Sequence, residues 1–315
     1  MKGLVSFNGK LTISEKLKKP IAKENEVLVR VGSTAINPAD PDIASGLWDD
    51  FFPKRNELSA KTGFEFSGIV AENSALYKEG DKIFGYIDVF SGGNWAHQEY
   101  ITIPEACVAK MPSSISFEEA GIVPMAAQTS LSALRDVASI SADEELLIIG
   151  AAGGLGVYAI QIAKIFKAKV TAVGNTGQEE FLKSLGAEHT VSYSTNDITK
   201  LKKKFDVILD LSTAYTYAQI SHLLTDNGRF IPADPNKNAS DLKEGTESAA
   251  KTRYLMVPKG VNKDLELIQR WIDDGVIMAP VDQVFDLSEF ELAMKRLASN
   301  GKKGRIVLRI NNFSQ

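Results

Sequence analysis

The sequence predicts an α/β protein of two domains, a β-rich one and a doubly wound parallel sheet covered by helices. Three observations predict it. Residues 2 to about 110 hold short alternating runs separated by turn residues. Near Ser116 this gives way to strands alternating with helices. From Glu145 to Gly174 the chain runs through an apolar stretch, a glycine-rich turn, a helix-periodic stretch and a second apolar stretch. The length of 315 residues suffices for two domains.

In order, Leu4–Phe7 and Leu11–Ile13 flank Asn8-Gly9, a hairpin turn pair. Glu26–Val31, Phe64–Val70, Lys82–Tyr86 and Glu99–Ile103 are the next strands, the last stopped by Pro104. Ser116 and Glu119 have capping-box spacing. Leu146–Ile149 is then a strand, Leu155–Phe166 a helix and Val170–Val173 a strand. Gln178–Leu185 is a short helix ending at Gly186. Val191–Tyr193, Phe205–Leu211, Phe230-Ile231 and Leu255–Val257 continue the strands. After Pro258 come an amphipathic helix over Lys263–Asp273, closed by Gly275, a helix over Leu287–Ala298 and a last strand over Arg305–Ile310. This tail is too short for a third domain and is expected to return to the first.

The net charge of −4 and a pI near 5.6 argue against a nucleic-acid partner. Cys107 is the only cysteine, so no intrachain disulfide and no cysteine cluster for zinc is expected. No stretch approaches the roughly 20 apolar residues of a membrane span. The first residues lack the apolar core of a signal peptide. A cytoplasmic protein is the expectation.

The turn reads Gly150-Ala151-Ala152-Gly153-Gly154-Leu155-Gly156. Its spacing Ala151-x-Gly153-x-x-Gly156 matches a dinucleotide fingerprint with alanine in the first glycine place. A small residue permits the tight turn, Gly153 lets phosphates approach the backbone, and Gly156 lets the helix pack on the strand. The helix N-terminus offers N–H groups to a pyrophosphate. The alternative is a structural turn without a ligand. The second strand ends in Val173-Gly174-Asn175-Thr176, where an NAD site usually carries an acid for the ribose hydroxyls. Gly174 takes that place, and Asn175 and Thr176 can donate to a 2′-phosphate, which favours NADPH. An unspecialised loop is the other reading.

With these pieces in order, the sequence resembles the medium-chain dehydrogenase/reductase superfamily, in its zinc-free quinone oxidoreductase (zeta-crystallin-like) branch. The resemblance rests on Glu26–Val31 followed by Asn37-Pro38-Ala39-Asp40, on Gly63–Val70, Gly80–Gly85 and Trp95–Tyr100, and on the glycine turn. It continues through Gly186–His189, Phe205–Asp210, Gly228–Ile231 and Gly304–Leu308. It implies a discontinuous GroES-like catalytic domain, residues 1–118 and 259–315, with an inserted Rossmann domain over 119–258. The active site would lie in the cleft between them. Zinc-dependent members carry ligands where this chain has Asn37-Pro38 and Phe64, so the resemblance implies no metal site.

The resemblance also places Asn37 and Asp40 beside the nicotinamide. Asn37 would position the cofactor amide or a substrate oxygen, and both residues are also turn formers. Thr129 matches a threonine near the nicotinamide, its other role being local backbone bonding. Gly153, Gly154, Leu155, Gly156, Ala151, Gly174, Asn175, Thr176 and Tyr193 would bind NADPH, with Tyr193 alternatively in ordinary packing. Trp48, with Phe51 and Phe52, and Tyr86 would shape the acceptor pocket. A surface loop is the other reading of the aromatic segment. His97 invites a general-acid role, yet a loop or strand edge suits it better. Relatives have a glycine pair after the fourth strand where this chain has Leu211-Ser212-Thr213-Ala214. The function implied is zinc-independent, NADPH-dependent reduction of a small-molecule quinone or enone, with no nucleic acid, no membrane and a homodimer paired through the edge strand Leu255–Val257. The competing expectation is a non-catalytic NADPH-binding regulatory or structural protein, because no proton donor stands out.

Overall fold

The computed structural model describes residues 1–47, 62–88, 95–233, 246–253, 255, 257 and 259–313. Trp48, Phe51 and Phe52 lie outside the described residues. The chain forms two compact units. Unit 1 holds residues 1–128, 258–299 and 305–315, and unit 2 holds 129–257 and 300–304.

Unit 1 contributes β1 (Gly3–Phe7), β2 (Lys10–Ser14), β3 (Glu26–Ala35), β4 (Glu65–Val70), β5 (Lys82–Tyr86), β6 (Tyr100–Pro104) and β7 (Val108–Lys110). Unit 2 contributes β8 (Glu145–Ile149), β9 (Lys169–Gly174), β10 (His189–Ser192), β11 (Phe205–Asp210) and β12 (Leu224–Pro232). Unit 1 resumes with β13 (Val281–Asp286) and β14 (Arg305–Arg309).

In unit 1, β1 and β2 form the expected hairpin, with Asn8 and Gly9 at φ 50° and 75° in its turn. The main sheet runs β13-β14-β3-β4-β5-β7, and β6 pairs with β3. Val27, Val29, Val31, Phe66, Ile83, Ile101 and Ile103 fill its core. Ser116 and Glu119 form the capping box that their spacing predicts, on a single-turn helix Phe117–Ala120. Residues 258–299 and 305–315 belong to this unit, while 300–304 belong to unit 2. Helix Asn262–Asp273 buries Leu265, Ile268 and Ile272 at helical spacing, and Gly275 just beyond it adopts φ 70°.

Unit 2 is a parallel sheet in the order β10-β9-β8-β11-β12. This is a doubly wound Rossmann order, which reverses between β8 and β11 and places a ligand crevice at the carboxyl ends there. β8 is buried from Leu146 to Ile149, as a central parallel strand requires. One expected strand is corrected. Leu255 and Val257 lie outside any strand, and among the described residues an isolated bridge joins Phe230 of β12 to Thr252. An apolar spelling does not by itself make a strand, which also needs a hydrogen-bonded neighbour. Among the described residues, no helix is long and apolar enough to cross a membrane.

Candidate functional site

At the carboxyl end of β8 the glycine turn is tied down on both sides. Ala151 N–H donates to Val173 O at 3.0 Å, and Gly304 N–H donates to Ala152 O at 3.2 Å. A Cβ on Gly156 would lie 2.4 Å from Ala151 O, so only glycine lets helix Gly156–Ile165 start this close to the turn. Val157 N–H returns to Gly153 O at 3.2 Å. The backbone N–H groups of Gly154, Leu155 and Gly156 have no partner among the described residues. No side chain caps the helix, so these three donors and the helix dipole form a cradle for an anion. A pyrophosphate fits it.

β9 ends at Gly174, whose Cβ position is closed by Leu182 Cδ1 at 2.8 Å and Gln178 Oε1 at 3.0 Å. Gln178 is buried, accepts from Asn175 N–H at 2.6 Å and donates to Lys302 O. Thr176 and Ser192 join hydroxyls at 2.8 Å, and Ser194 donates to Asn175 Oδ1. Tyr193 N–H donates to Gly174 O at 3.0 Å, and its ring is half exposed. The ends of β9 and β10 thus gather Asn175, Thr176, Ser192, Tyr193 and Ser194, five polar side chains and none of them acidic.

In unit 1, Asn37 and Asp40 stand at the start of helix Ala39–Ser45, and both are buried. The Asp40 carboxylate accepts from Asn37 N–H at 2.7 Å and from Gly63 N–H at 3.1 Å. Burial pushes the Asp40 carboxyl above its ordinary value, while His97, the two N–H groups and Arg305 oppose the rise. Asn37 Oδ1 accepts from Arg305 Nη2 at 2.8 Å. The same nitrogen donates to Glu65, forming an ion pair with both residues buried. Glu65 also accepts from Met125 N–H at 2.8 Å and from the Ala126 backbone, at the start of helix Pro124–Ser132. Burial raises the Glu65 carboxyl, and Arg305 pulls it back down.

Tyr86 faces Glu65 across β4 and β5, so both side chains share one side of the sheet. It is buried, and burial with the charges of Glu65 and Asp88 raises its phenol far above the usual range. Thr129 is buried on helix Pro124–Ser132, one turn beyond Met125. His97 lies in a loop as its sequence suits, but wholly buried. Thr62 Oγ1 lies 2.8 Å from its Nδ1, and its Nε2 lies 3.0 Å from Ala35 O. Both ring nitrogens are occupied, so it holds the loop rather than serving as an acid.

The alcohol dehydrogenase GroES-like domain family matches residues 23–113, and the zinc-binding dehydrogenase family matches residues 185–308. A chloroplast envelope quinone oxidoreductase homolog of Arabidopsis thaliana is 30% identical over 305 residues, covering 92% of this chain and 91% of that protein. An NADPH-dependent alkenal/one oxidoreductase, chloroplastic, of the same plant is 31% identical, covering 95% and 75%. The quinone oxidoreductase from Coxiella burnetii superposes with a TM-score of 0.84 at 23% identity, over 99% of each chain. The chain belongs to the medium-chain dehydrogenase/reductase superfamily, in its quinone oxidoreductase-like branch. It is an oxidoreductase of this superfamily, with a small-molecule substrate and a nicotinamide cofactor.

For a superfamily member matched to zinc-binding dehydrogenases, the donor set bears on whether zinc fits. Phe64 offers no ligand atom and packs edge-on against Trp95 with centroids 5.3 Å apart. The Asn37 amide oxygen is taken by Arg305. Among the described residues, no three His, Cys, Asp or Glu side chains come together to hold a metal. These residues do not fit a zinc ion.

Sequence reasoning assigned no role to Glu65, Arg305, Gln178, Ser192 or Ser194. Glu65 and Arg305 stand within stretches that carry the family resemblance, the only signal that could have found them. Gln178 reads simply as a helix start, although its amide joins the β9 loop to residue 302.

Proposed function

We propose that this oxidoreductase uses NADPH to reduce quinones or α,β-unsaturated carbonyl compounds without a metal ion. The observation that carries the reading is the acid-free end of β9. Leu182 and Gln178 pack against Gly174, and the hydroxyl and amide groups of Asn175, Thr176, Ser192 and Ser194 gather beside it. They suit a 2′-phosphate, and Gly174 itself supplies no acidic side chain for a free 2′-hydroxyl. The free N–H groups of Gly154, Leu155 and Gly156, with Ala151 and Gly153 shaping the turn, would hold the pyrophosphate. Tyr193 would cover the adenosine end. Bound NADPH would supply a hydride.

On the acceptor side, Asn37 would orient the reacting end, held by Asp40, with Thr129 near the nicotinamide and Tyr86 walling the acceptor. The GroES-like portion, residues 1–118 and 259–315, would carry the acceptor, and the Rossmann portion the cofactor. The donor set supports metal independence, because Phe64 and the occupied Asn37 amide leave no Lewis acid to polarise an alcohol. Acceptors that take hydride readily suit such a site, and the names of the relatives point to the same substrate classes.

The test is oxidation of NADPH and of NADH by chelator-treated protein over a panel of quinones and enones. Turnover favouring NADPH, unchanged by chelation, is expected. Activity only after zinc is added, or preference for NADH, overturns the reading. Tight NADPH binding with silence on every acceptor would favour a non-catalytic nucleotide-binding protein.

A further inference from the structure

Asn37 is only 5% exposed, and Arg305 is 3% exposed. A guanidinium has donors and no acceptor, so the 2.8 Å bond from Arg305 Nη2 settles the amide orientation. The oxygen of Asn37 faces Arg305, and the nitrogen points away. That nitrogen makes one long bond, 3.4 Å, to Ala35 O, and its second N–H has no partner among the described residues. Arg305 Nε is likewise buried without a partner among the described residues. Buried donors are rarely left unfilled, so two unfilled donors in one cluster point to a ligand. Both donate, and neither accepts. The group that fits them is an oxygen acceptor, best of all one that gains negative charge.

The cluster is rigid. Glu65 receives the backbone N–H of Met125 at 2.8 Å and binds Arg305, and Arg305 binds the Asn37 oxygen. From the other side, Asp40 receives the Asn37 backbone N–H at 2.7 Å. The amide cannot turn over without breaking the arginine bond and facing two sets of donors at each other.

Resting on the proposed quinone or enone reduction, we infer that Arg305, held by Glu65, is a positioning residue. It turns the Asn37 carboxamide so that the amide N–H donates to the carbonyl oxygen of the acceptor. For an enone, hydride forms a C–H bond at the β-carbon. The C=C π pair moves to join the α-carbon to the carbonyl carbon, and the C=O π pair moves onto oxygen. The enone gains two electrons, which the reduced nicotinamide loses. The Asn37 N–H meets the charge as it collects on that oxygen. Water then gives its proton to the α-carbon, the carbonyl re-forms and hydroxide leaves.

A double-mutant cycle with a spectroscopic readout tests this. Wild type, N37A, R305M and the double variant are assayed with NADPH and cyclohex-2-enone. The carbonyl stretch of ¹³C-labelled cyclohex-2-enone is read on each protein with NADP⁺ bound, which stops turnover. Each single variant should lower kcat by about 100-fold, the effect of losing one donor to a developing oxyanion. NADPH affinity should stay within about threefold, and the double variant should be no slower than either single, because both remove one interaction. The stretch should fall to lower frequency on wild type and return toward its solution value in N37A and R305M. If R305M does not fold, R305K keeps the charge beside Glu65, and its kcat and stretch should fall between wild type and N37A. Losses that multiply in the double variant, or an identical stretch in wild type and N37A, overturn the inference and leave the proposed function intact. Absence of turnover by wild type on every quinone and enone overturns both.

Discussion

The glycine turn of unit 2 and the Asn37 cluster of unit 1 both offer unfilled donors, but from different materials. At the turn, the donors are backbone N–H groups of consecutive residues, Gly154 to Gly156, and glycine matters because it stays out of the way. At Asn37, the donors are side-chain groups fixed by a buried ion pair between Glu65 and Arg305. The first kind of site tolerates change around it and fails when a Cβ intrudes. The second kind fails when any charged member is removed, because its partner is stranded away from water.

The largest expected effect sets two ion pairs against each other. Glu65→Ala strands Arg305 and should destabilise the protein by about 3–5 kcal/mol. Glu144→Ala releases Arg229, a pair at 2.8 Å with side chains about a fifth exposed, and should cost about 1 kcal/mol or less. Urea unfolding of both variants reads the difference, and equal losses would erase the contrast. Next comes Gly156→Val, whose Cβ would sit 2.4 Å from Ala151 O. Fluorescence titration should show NADPH binding weakened by about 100-fold, the upper end of an overpacking penalty, with Asn37-dependent chemistry untouched at saturating cofactor.

A smaller effect is expected from Gly174→Asp, which meets Leu182 and Gln178. It should weaken NADPH by about tenfold through crowding without producing NADH preference. A switch to NADH, measured as the ratio of kcat/KM for the two cofactors, would show that Leu182 and Gln178 yield to the new side chain. The smallest effect concerns Cys107, which is buried and whose thiol burial pushes up to about 11. A raised thiol value means the reactive thiolate appears only as pH climbs. At pH 8 about one thiol in a thousand is ionised. Iodoacetamide labelling of native protein, followed by mass spectrometry, should therefore be slow at pH 8 and accelerate about tenfold per pH unit up to pH 10.

Features made by neighbours in sequence were legible before the structure. Asn8-Gly9 turns the first hairpin, Ser116 and Glu119 cap their helix, and the spacing of Gly153 and Gly156 builds the anion cradle. In each, the partners lie within a few residues, so spacing alone encodes the geometry. The Glu65–Arg305 pair joins positions separated by 240 residues, and no local pattern can encode that meeting. Gln178 was missed for a related reason, since its importance comes from Lys302 O, a backbone atom 124 residues away. At Leu255–Val257 an apolar run reads as a strand, although Leu255 and Val257 lie outside any strand. Composition supplies the side chains of a strand but not the neighbour that hydrogen-bonds to it.

The segment Asn300–Gly304 belongs to unit 2 although the residues on both sides of it belong to unit 1. Its consequence lies in the order of folding. A ribosome releases β8 to β12 first, yet the contacts from Gln178 to Lys302 O and from Gly304 to Ala152 O cannot form until residues 302 and 304 have emerged. The same holds for β3, whose Ser33 to Ala35 pair with the much later strand β14. Such contacts close long loops, and long-range closure slows folding. Each unit therefore waits on residues from 302 to 309, and an excised copy of residues 129–257 would emerge without the strap that braces the loops after β8 and β9.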